Sequence, residues 1–256
     1  MGKLDGRIAL VTGASRGIGA EIARRFAAAG ARVAVSARTT EPGQSRFAGT
    51  ITETVGQIRK AGGEAVALAA DLAVPDDRER LVAETEQVLG PIDVLVNNAA
   101  VTYFAPVGEF TFKRYALMFE VQVTAPFHLA KLVLPGMRER GRGWILNISS
   151  KAALHPVPGG PAFGGTVYGM CKAALERFTT GLAAETYADG VVVNALSPTD
   201  LVITPGTRFH RLDERIDQVE EPSVMAEAAL MLCSGTETGR VTYSQELLSG
   251  PHTRKE

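Results

Sequence analysis

The chain has 256 residues, and 45% of them are hydrophobic, which is enough to build a sizeable core. Charged residues make up 21%, with 27 basic against 28 acidic side chains and a formal net charge of −1. This balance argues against binding to nucleic acid or to an acidic membrane, because no basic excess exists to attract either one.

Cysteine and histidine usage argues against disulfide and metal chemistry. Cys171 and Cys233 form no disulfide framework, so we expect a reducing compartment, the cytoplasm. The four histidines have no metal-ligand spacing with the cysteines, and we expect no metal site. We also expect no N-terminal signal segment and no stretch long and apolar enough to span a bilayer.

Strand-like and helix-like segments alternate along the chain, and the strands are apolar throughout, as parallel strands covered on both faces require. This predicts one Rossmann-like α/β domain, a doubly wound parallel sheet of about seven strands with helices on both faces. Its cofactor half covers about residues 1–110 and its catalytic half about 111–250. The predicted strands are Ile8–Val11, Arg32–Ser36, Ala65–Ala69, Ile92–Val96, Trp144–Ile148, Val191–Ala195 and Val241–Gln245, and the predicted helices are Gly17–Ala29, Thr50–Ala61, Asp76–Leu89, Phe112–Arg140, Thr166–Tyr187 and Ser223–Cys233.

Three long loops, Thr39–Gly49, Lys151–Gly165 and Pro198–Pro222, interrupt this alternation. We expect them at the carboxyl edge of the sheet, where such folds bind ligands. Within the longest predicted helix, Pro126 is expected at a bend because proline removes a helical hydrogen bond.

A glycine-rich turn over residues 12–19 joins the first strand to the first helix. Gly13, Gly17 and Gly19 remove side chains where backbone approaches a pyrophosphate, and the helix N-terminus attracts that anion. The turn lacks the Gly-Lys-Ser/Thr ending of a nucleoside-triphosphatase loop, which disfavours phosphate hydrolysis. Taken alone, it also fits an ordinary tight turn.

Polar residues also follow the third and fourth strands. Asp71 and Leu72 come where a carboxylate can accept a hydrogen bond from an adenine amine. Asn98 and Ala99 come where short side chains shape the backbone beside a bound nucleotide. For the asparagines of residues 97–98 alone, a turn that satisfies its own backbone is the favoured interpretation.

Tyr168 and Lys172 are four residues apart on a predicted helix and share one face. A neighbouring ammonium favours the phenolate and lowers the pKa of a tyrosine from its usual value near ~10. Tyr168 then exchanges a proton with a substrate oxygen near neutral pH, and Ser150 can hydrogen-bond the same oxygen. By itself, this spacing is more often a solvent-facing pair.

The Thr-Gly-x-x-x-Gly-Ile-Gly, Asn-Asn-Ala, Ile-Ser-Ser and Tyr-x-x-x-Lys motifs occur in this order on the expected elements. The chain therefore closely resembles the short-chain dehydrogenase/reductase family over nearly its whole length. The chain also resembles the hydroxysteroid-dehydrogenase-like branch of that family at residues 37–42, 49–51 and 62–63 and in the Asn-Ala-Leu-x-Pro segment.

The resemblance implies hydride transfer between a nicotinamide cofactor and a carbonyl or alcohol. Ser150 would anchor the substrate oxygen, Tyr168 would act as acid/base, and Lys172 would tune the tyrosine and bind ribose. It also implies a homodimer or homotetramer in which the long fourth and fifth helices pair. The implied cofactor-binding residues are Gly13, Ser15, Arg16, Gly17, Ile18, Gly19, Arg38, Thr39, Asp71, Leu72, Asn98, Ala99, Tyr168, Lys172 and Pro198.

Three positions depart from the family pattern: Gln122, Ala100 and Thr199. Gln122 replaces an asparagine that helps to hold a water in a proton relay, so that relay is shifted or broken. A cofactor-binding sensor or assembly subunit with weak turnover therefore stays open as a second function. The retained serine, tyrosine and lysine favour an active enzyme.

The end of the second strand predicts the cofactor and the loops predict the substrate. No carboxylate follows Ser36 to bind the ribose 2′-OH of NAD, whereas Arg38, Arg16 and Thr39 can converge on a 2′-phosphate. NADP is therefore the predicted cofactor and NAD the alternative; two solvated arginines would leave no preference. A lipid-like or cyclic carbonyl is suggested by apolar loop residues, namely Phe104, Pro156, Val157, Pro158, Phe163 and Phe209.

Overall fold

A computed structural model describes residues 2–159, 164–214 and 216–250. Its strands are β1 Ile8–Thr12, β2 Arg32–Ala37, β3 Glu64–Ala69, β4 Val94–Asn97, β5 Gly143–Ile148, β6 Val191–Ser197, β7 Leu201–Val202, β8 Val219–Glu220 and β9 Val241–Tyr243. Seven of them form one parallel sheet in the order β3-β2-β1-β4-β5-β6-β9, and β7 pairs separately with β8. The predicted doubly wound sheet is confirmed, and its strand order reverses direction between β1 and β4.

Helices cover both faces of the sheet. Along β1, Ala9 and Val11 face one buried cluster with α1, α2 and α8, while Ile8 and Leu10 face another with α3, α5 and α6. Successive strand residues point to opposite faces, so an apolar strand feeds two cores at once. These helices are α1 Gly17–Ala28, α2 Ile51–Lys60, α3 Pro75–Leu89, α4 Phe112–Phe119, α5 Ala125–Glu139, α6 Thr166–Glu185, α7 Pro205–Phe209, α8 Pro222–Ser234 and α9 Ser244–Ser249.

The two edges of the sheet differ from expectation. At one edge, β3 is less buried than the central strands: Ala65 is buried, but Glu64 and Ala67, which lie on opposite faces, are exposed. At the other edge, β9 ends at Tyr243, and Ser244 begins α9 instead of continuing the strand. Edge strands lack a neighbour on one side and are often short and polar for that reason.

The long helix predicted over residues 112–140 consists of α4, a π-helical turn at Glu120–Thr124, and α5. The irregular turn lies just ahead of Pro126, which stands in the first turn of α5 where a missing N–H costs little. By length and composition alone, the helical stretch Phe112–Glu139 could cross a membrane, but the core helix of a globular domain meets the same criterion. Leu129, Val133 and Met137 are nevertheless buried against the sheet, as in the core helix of a globular domain.

Candidate active site

The carboxyl ends of β1 and β4 meet where the strand order reverses, and Asn98 links them. Its amide donates to the carbonyls of Thr12 and Gly13, at 2.9 and 3.2 Å. The Thr12 hydroxyl donates to Val96 O at 3.1 Å and accepts the backbone N–H groups of Asn98 and Ala99. The Asn98 side chain therefore hydrogen-bonds backbone carbonyls of the glycine turn and not its own backbone, which overturns the simple-turn interpretation of this residue.

The glycines of this turn are required by close packing as well as by backbone conformation. A Cβ at Gly13 would lie 2.7 Å from Ala99 Cα, and one at Gly19 would lie 2.3 Å from Asn98 Nδ2. Gly13 and Gly17 also have positive φ angles of 65° and 57°, a region that glycine alone enters easily. The turn is thereby fixed against the end of β4.

Helix α1 begins directly behind this turn. Among the described residues, no side chain caps its first N–H groups, and Arg16 at the N-cap position is extended. Uncapped amides at a helix N-terminus form an anion site, so the pyrophosphate of a nicotinamide dinucleotide fits here. Ser15 beside them is buried, and Ile18 packs against the core cluster of α1.

Arg16 holds the segment between β2 and α2. Its guanidinium donates to Gly49 O at 2.8 Å and to the hydroxyls of Thr39 and Ser45, both at 3.2 Å. Burial lowers the pKa of Arg16, and the neighbouring Arg38 lowers it further. Arg38 therefore lies near enough to Arg16 for the two charges to repel each other.

Arg38 is the more accessible of the two, with 63% of its side chain exposed. Its Nη1 atom lies 3.8 Å from Asp71 Oδ2, while Asp71 Oδ1 accepts the Ala73 N–H at 3.0 Å. Asp71 thus faces the end of β2 as well as its own turn, and Leu72 beside it is buried. The segment after β2 encloses a cavity of about 170 Å³ lined in part by Thr39.

Lys172 lies in the protein interior at 3% exposure. Its Nζ donates to Ile148 O at 2.9 Å and lies 5.5 Å from the ring centroid of Tyr168. Burial lowers the pKa of Lys172 to about 8, while Cys171 and Glu176 oppose that shift. The structure therefore rules out a solvent-facing pair.

The pKa of Tyr168 moves in the direction opposite to the predicted one. Burial raises it, because the phenolate loses water, and a side-chain hydrogen bond with Ser150 lowers it only in part. Lys172 gives its closest contact to the Ile148 carbonyl instead of the phenol. The ring packs beside the buried side chains of Met118 and Val167, which favours the neutral hydroxyl.

Ser150 and its neighbour Ser149 follow β5 and contact different partners. Ser150 interacts with Tyr168, and its Oγ also accepts the Ala152 N–H at 3.2 Å. Ser149 Oγ donates to Glu176 Oε1 at 2.6 Å, and burial raises the pKa of that carboxyl. Sequence reasoning missed Glu176, although its position eight residues after Tyr168 and four after Lys172 is a signal that places it on their face.

Gln122 lies in the π-helical turn and is 1% exposed. Its Nε2 donates to Val101 O at 2.9 Å, which fastens the turn to the loop after β4. Its Oε1 is buried with no hydrogen-bond partner among the described residues. A buried unpaired acceptor costs about 1–3 kcal/mol, so this oxygen is suited to a water or hydroxyl donor.

Among the expected pocket residues, the structure brings Phe104 to Tyr168, with ring centroids 6.0 Å apart. On its other side Phe104 contacts His210, a residue that sequence reasoning missed, at 4.9 Å. Residues 156–158 are exposed, and Phe163 lies outside the described residues. Phe209 contacts the ring of His210 and so lies one ring further from Tyr168 than His210 does. Pro198 directly follows β6, at the carboxyl edge of the sheet.

Comparison with known proteins gives consistent matches. A family model for short chain dehydrogenase matches residues 7–215. A short chain dehydrogenase of Pseudocercospora fijiensis is 38% identical over 199 residues, 77% of this chain and 60% of that protein. Hydroxysteroid dehydrogenase-like protein 2 of Xenopus laevis is 31% identical over 251 residues, 96% of this chain and 58% of that protein. In both cases the chain spans less than two thirds of the relative's length.

A solved structure matches over nearly the whole chain. It is the 3-oxoacyl (acyl-carrier-protein) reductase from Agrobacterium tumefaciens C58 with NADP bound. The two share 30% sequence identity and a TM-score of 0.81, over 94% of this chain and 93% of that one.

Proposed function

Because this chain belongs to the short-chain dehydrogenase/reductase family and is an NAD(P)-dependent oxidoreductase, we propose that it transfers a hydride between NADP(H) and an apolar or lipid-like carbonyl or alcohol. The observation that carries the proposal is the buried ammonium of Lys172 beside Tyr168, at the carboxyl end of β5. The apolar substrate class is supported by Phe104, whose ring stands against Tyr168.

In the proposed reaction, Ser150, Tyr168 and Lys172 have separate roles. When bound, the nicotinamide supplies or accepts the hydride. In reduction, Ser150 hydrogen-bonds the substrate carbonyl oxygen, which gains negative charge as its carbon accepts the hydride. Tyr168, kept protonated by burial, donates its phenolic proton to that oxygen. Lys172 then stabilises the resulting phenolate with its ammonium, and oxidation runs through the same residues in reverse.

Other residues hold the cofactor in this proposal. The uncapped amides of α1 and the glycine turn bind its pyrophosphate, and Asn98 and Ala99 support that turn. Lys172 binds the nicotinamide ribose, and Asp71 accepts from the adenine amine. Pro198 lies at the nicotinamide end.

NADP is proposed over NAD because of the charges at the end of β2. Ala37 ends that strand in place of a carboxylate, and Arg38, Arg16 and Thr39 follow or face it. A phosphate dianion would relieve the repulsion between the two guanidiniums. The NADP bound in the matched reductase structure is consistent with this preference.

We also propose a single domain that forms a homodimer or homotetramer through α4 and α5, acting on small molecules in the cytoplasm, without nucleic-acid or membrane partners. Phe112 and Phe127 are 89% and 55% exposed on those helices, and helix pairing would cover them. Cys171 and Cys233 are both buried free thiols, which suits a reducing compartment.

The test is a panel of carbonyls and alcohols with each nicotinamide cofactor, followed by NADPH or NADH fluorescence. We expect NADPH-dependent reduction of apolar or cyclic ketones at rates well above those of small polar ones. Tight NADPH binding without turnover of any compound would instead favour the sensor or assembly subunit, which the substitution at Gln122 keeps open.

A further inference from the structure

Five aromatic rings form a continuous row from the segment after β2 to the catalytic tyrosine. Phe47 lies 5.5 Å from Phe209, which lies 5.1 Å from His210. His210 lies 4.9 Å from Phe104, which lies 6.0 Å from Tyr168. Every contact is edge-to-face, with interplanar angles of 65° to 84°. Pairs with this geometry attract beyond the burial of their area, and we call these five residues the aromatic row.

The row joins four elements that are distant in sequence. Phe47 lies between β2 and α2, and Phe209 and His210 lie at the end of α7. Phe104 follows β4, and Tyr168 is on α6. The start of α7 also contacts the glycine turn, since a Cβ at Gly17 would lie 3.1 Å from the Thr204 methyl. The row therefore crosses the mouth of the proposed cofactor site.

The outer end of the row is built into the proposed 2′-phosphate site. Arg16 hydrogen-bonds the segment on both sides of Phe47, at Ser45 and at Gly49, and its guanidinium lies 5.6 Å from the Phe47 ring. Arg46 stacks over Phe209 at 3.9 Å and lies 5.0 Å from the Phe47 ring. Any rearrangement of these arginines around a phosphate must therefore move or fix the first two rings.

We propose that Phe47 and Phe209 are positioning residues that couple recognition of the cofactor 2′-phosphate to the shape of the substrate pocket, by holding His210 and Phe104 over Tyr168. This inference rests on the proposed function. A phosphate on the cofactor then tightens substrate binding through the row, although it contacts no part of the substrate. Coupling between two sites is reciprocal, so substrate also increases the preference for NADPH over NADH.

The first test needs no substrate. His210 is modified with diethylpyrocarbonate at saturating NADPH or NADH, and its rate of modification is followed by peptide mass spectrometry. The two cofactors differ only in the 2′-phosphate, so direct shielding of His210 is equal for both. We expect NADPH to slow modification roughly threefold to tenfold more than NADH, the range of one aromatic contact.

The matched variants are Phe47→Leu and Phe209→Leu, which keep apolar bulk and remove the ring. Both should abolish the difference between NADPH and NADH at His210. Tyr187→Leu is the control: it removes a 76% exposed aromatic ring just ahead of β6, at the opposite edge of the sheet, and should keep the difference. The coupling is overturned if both cofactors protect His210 equally in the wild type. It is also overturned if the difference between NADPH and NADH persists in both variants.

The second test separates this inference from the proposed function. With a substrate found in the panel, the wild type should show a lower substrate KM with NADPH than with NADH. In Phe47→Leu and Phe209→Leu, the KM with NADPH should rise roughly threefold to tenfold with kcat within a factor of about two, and the double variant should be no worse than either single one. Absence of turnover in the wild type defeats the proposed function while the His210 measurement still decides the coupling. Wild-type turnover with an unchanged KM in both variants defeats the coupling alone.

Discussion

The proposed catalytic end and the proposed phosphate end of the cofactor site hold their positive charges in different ways. Lys172 is 3% exposed, and its ammonium is fixed on the Ile148 carbonyl. Arg38 is 63% exposed, and its nearest carboxylate, Asp71, lies at 3.8 Å. Water and salt screen an exposed charge but screen a buried one far less. Substitutions at the catalytic end should therefore alter rate and pH dependence, and those at the phosphate end should alter cofactor choice.

The largest effect is expected for Tyr168→Phe. It removes the proposed proton donor and keeps the ring that contacts Phe104. Loss of a general acid lowers the rate by about 10²–10⁴-fold, so kcat should fall in that range on a confirmed substrate, while fluorescence titration should show that NADPH binding survives. A variant that keeps more than half of the wild-type kcat would remove Tyr168 from the mechanism.

Arg38→Ala should have the next largest effect, confined to the cofactor. One charge-assisted hydrogen bond contributes ~1.5–3 kcal/mol, so the Kd of NADPH should rise about tenfold or more while that of NADH changes little. Because Arg38 is exposed, added salt should reduce the wild-type preference. Equal or tighter NADH binding by the wild type contradicts the cofactor assignment, and an unaffected variant transfers the role to Arg16.

Glu176→Gln should change the pH dependence of turnover. The Glu176 carboxylate raises the pKa of Lys172 against the burial that lowers it to about 8. Without that carboxylate the lysine loses its proton at lower pH, so the alkaline fall in kcat should move to lower pH and activity near pH 8 should drop. Ser149→Ala is the control, since it breaks the 2.6 Å hydrogen bond and leaves the carboxylate. The same shift in both variants would indicate a structural role for Glu176.

The fold could be predicted from the sequence to the extent that burial dominates it. Apolar runs such as Ala9–Val11 and Val94–Val96 are buried on both faces, so their pattern identifies them as central strands. Edges were less predictable: β3 is exposed at Glu64, Ala67 and Ala69, and Ser244 begins a helix with its hydroxyl donating to the Glu220 carboxylate, 24 residues away.

The electrostatics of the site could not be predicted from spacing alone. A spacing of four residues on a helix places Tyr168 and Lys172 on one face, but this spacing does not show that the ammonium contacts Ile148 O. The sign of the Tyr168 pKa shift is set by desolvation of the phenol, which outweighs the lowering by the Ser150 hydrogen bond. In the same way, Arg16 binds Gly49 and Thr39, partners that the chain supplies only after it folds.

The smallest effect is expected for Gln122→Ala, and it tests whether the catalytic end extends to the π-helical turn. The substitution removes one hydrogen bond to Val101 and the unpaired Oε1 acceptor together. Loss of the bond costs roughly 1 kcal/mol and loss of a buried unpaired group offsets part of it, so thermal stability should change little. If Oε1 accepts from a water in a proton relay, kcat should fall roughly twofold to tenfold with the NADPH Kd unchanged, as expected for weakening one step of proton transfer.

Gln122→Glu is the matched comparison, because it keeps an acceptor at the same reach and loses the amide donor to Val101. A kcat that falls in Gln122→Ala but is kept in Gln122→Glu assigns the effect to the acceptor, whereas an unchanged kcat in Gln122→Ala means that the relay runs elsewhere and that the catalytic end stops at Ser150, Tyr168 and Lys172.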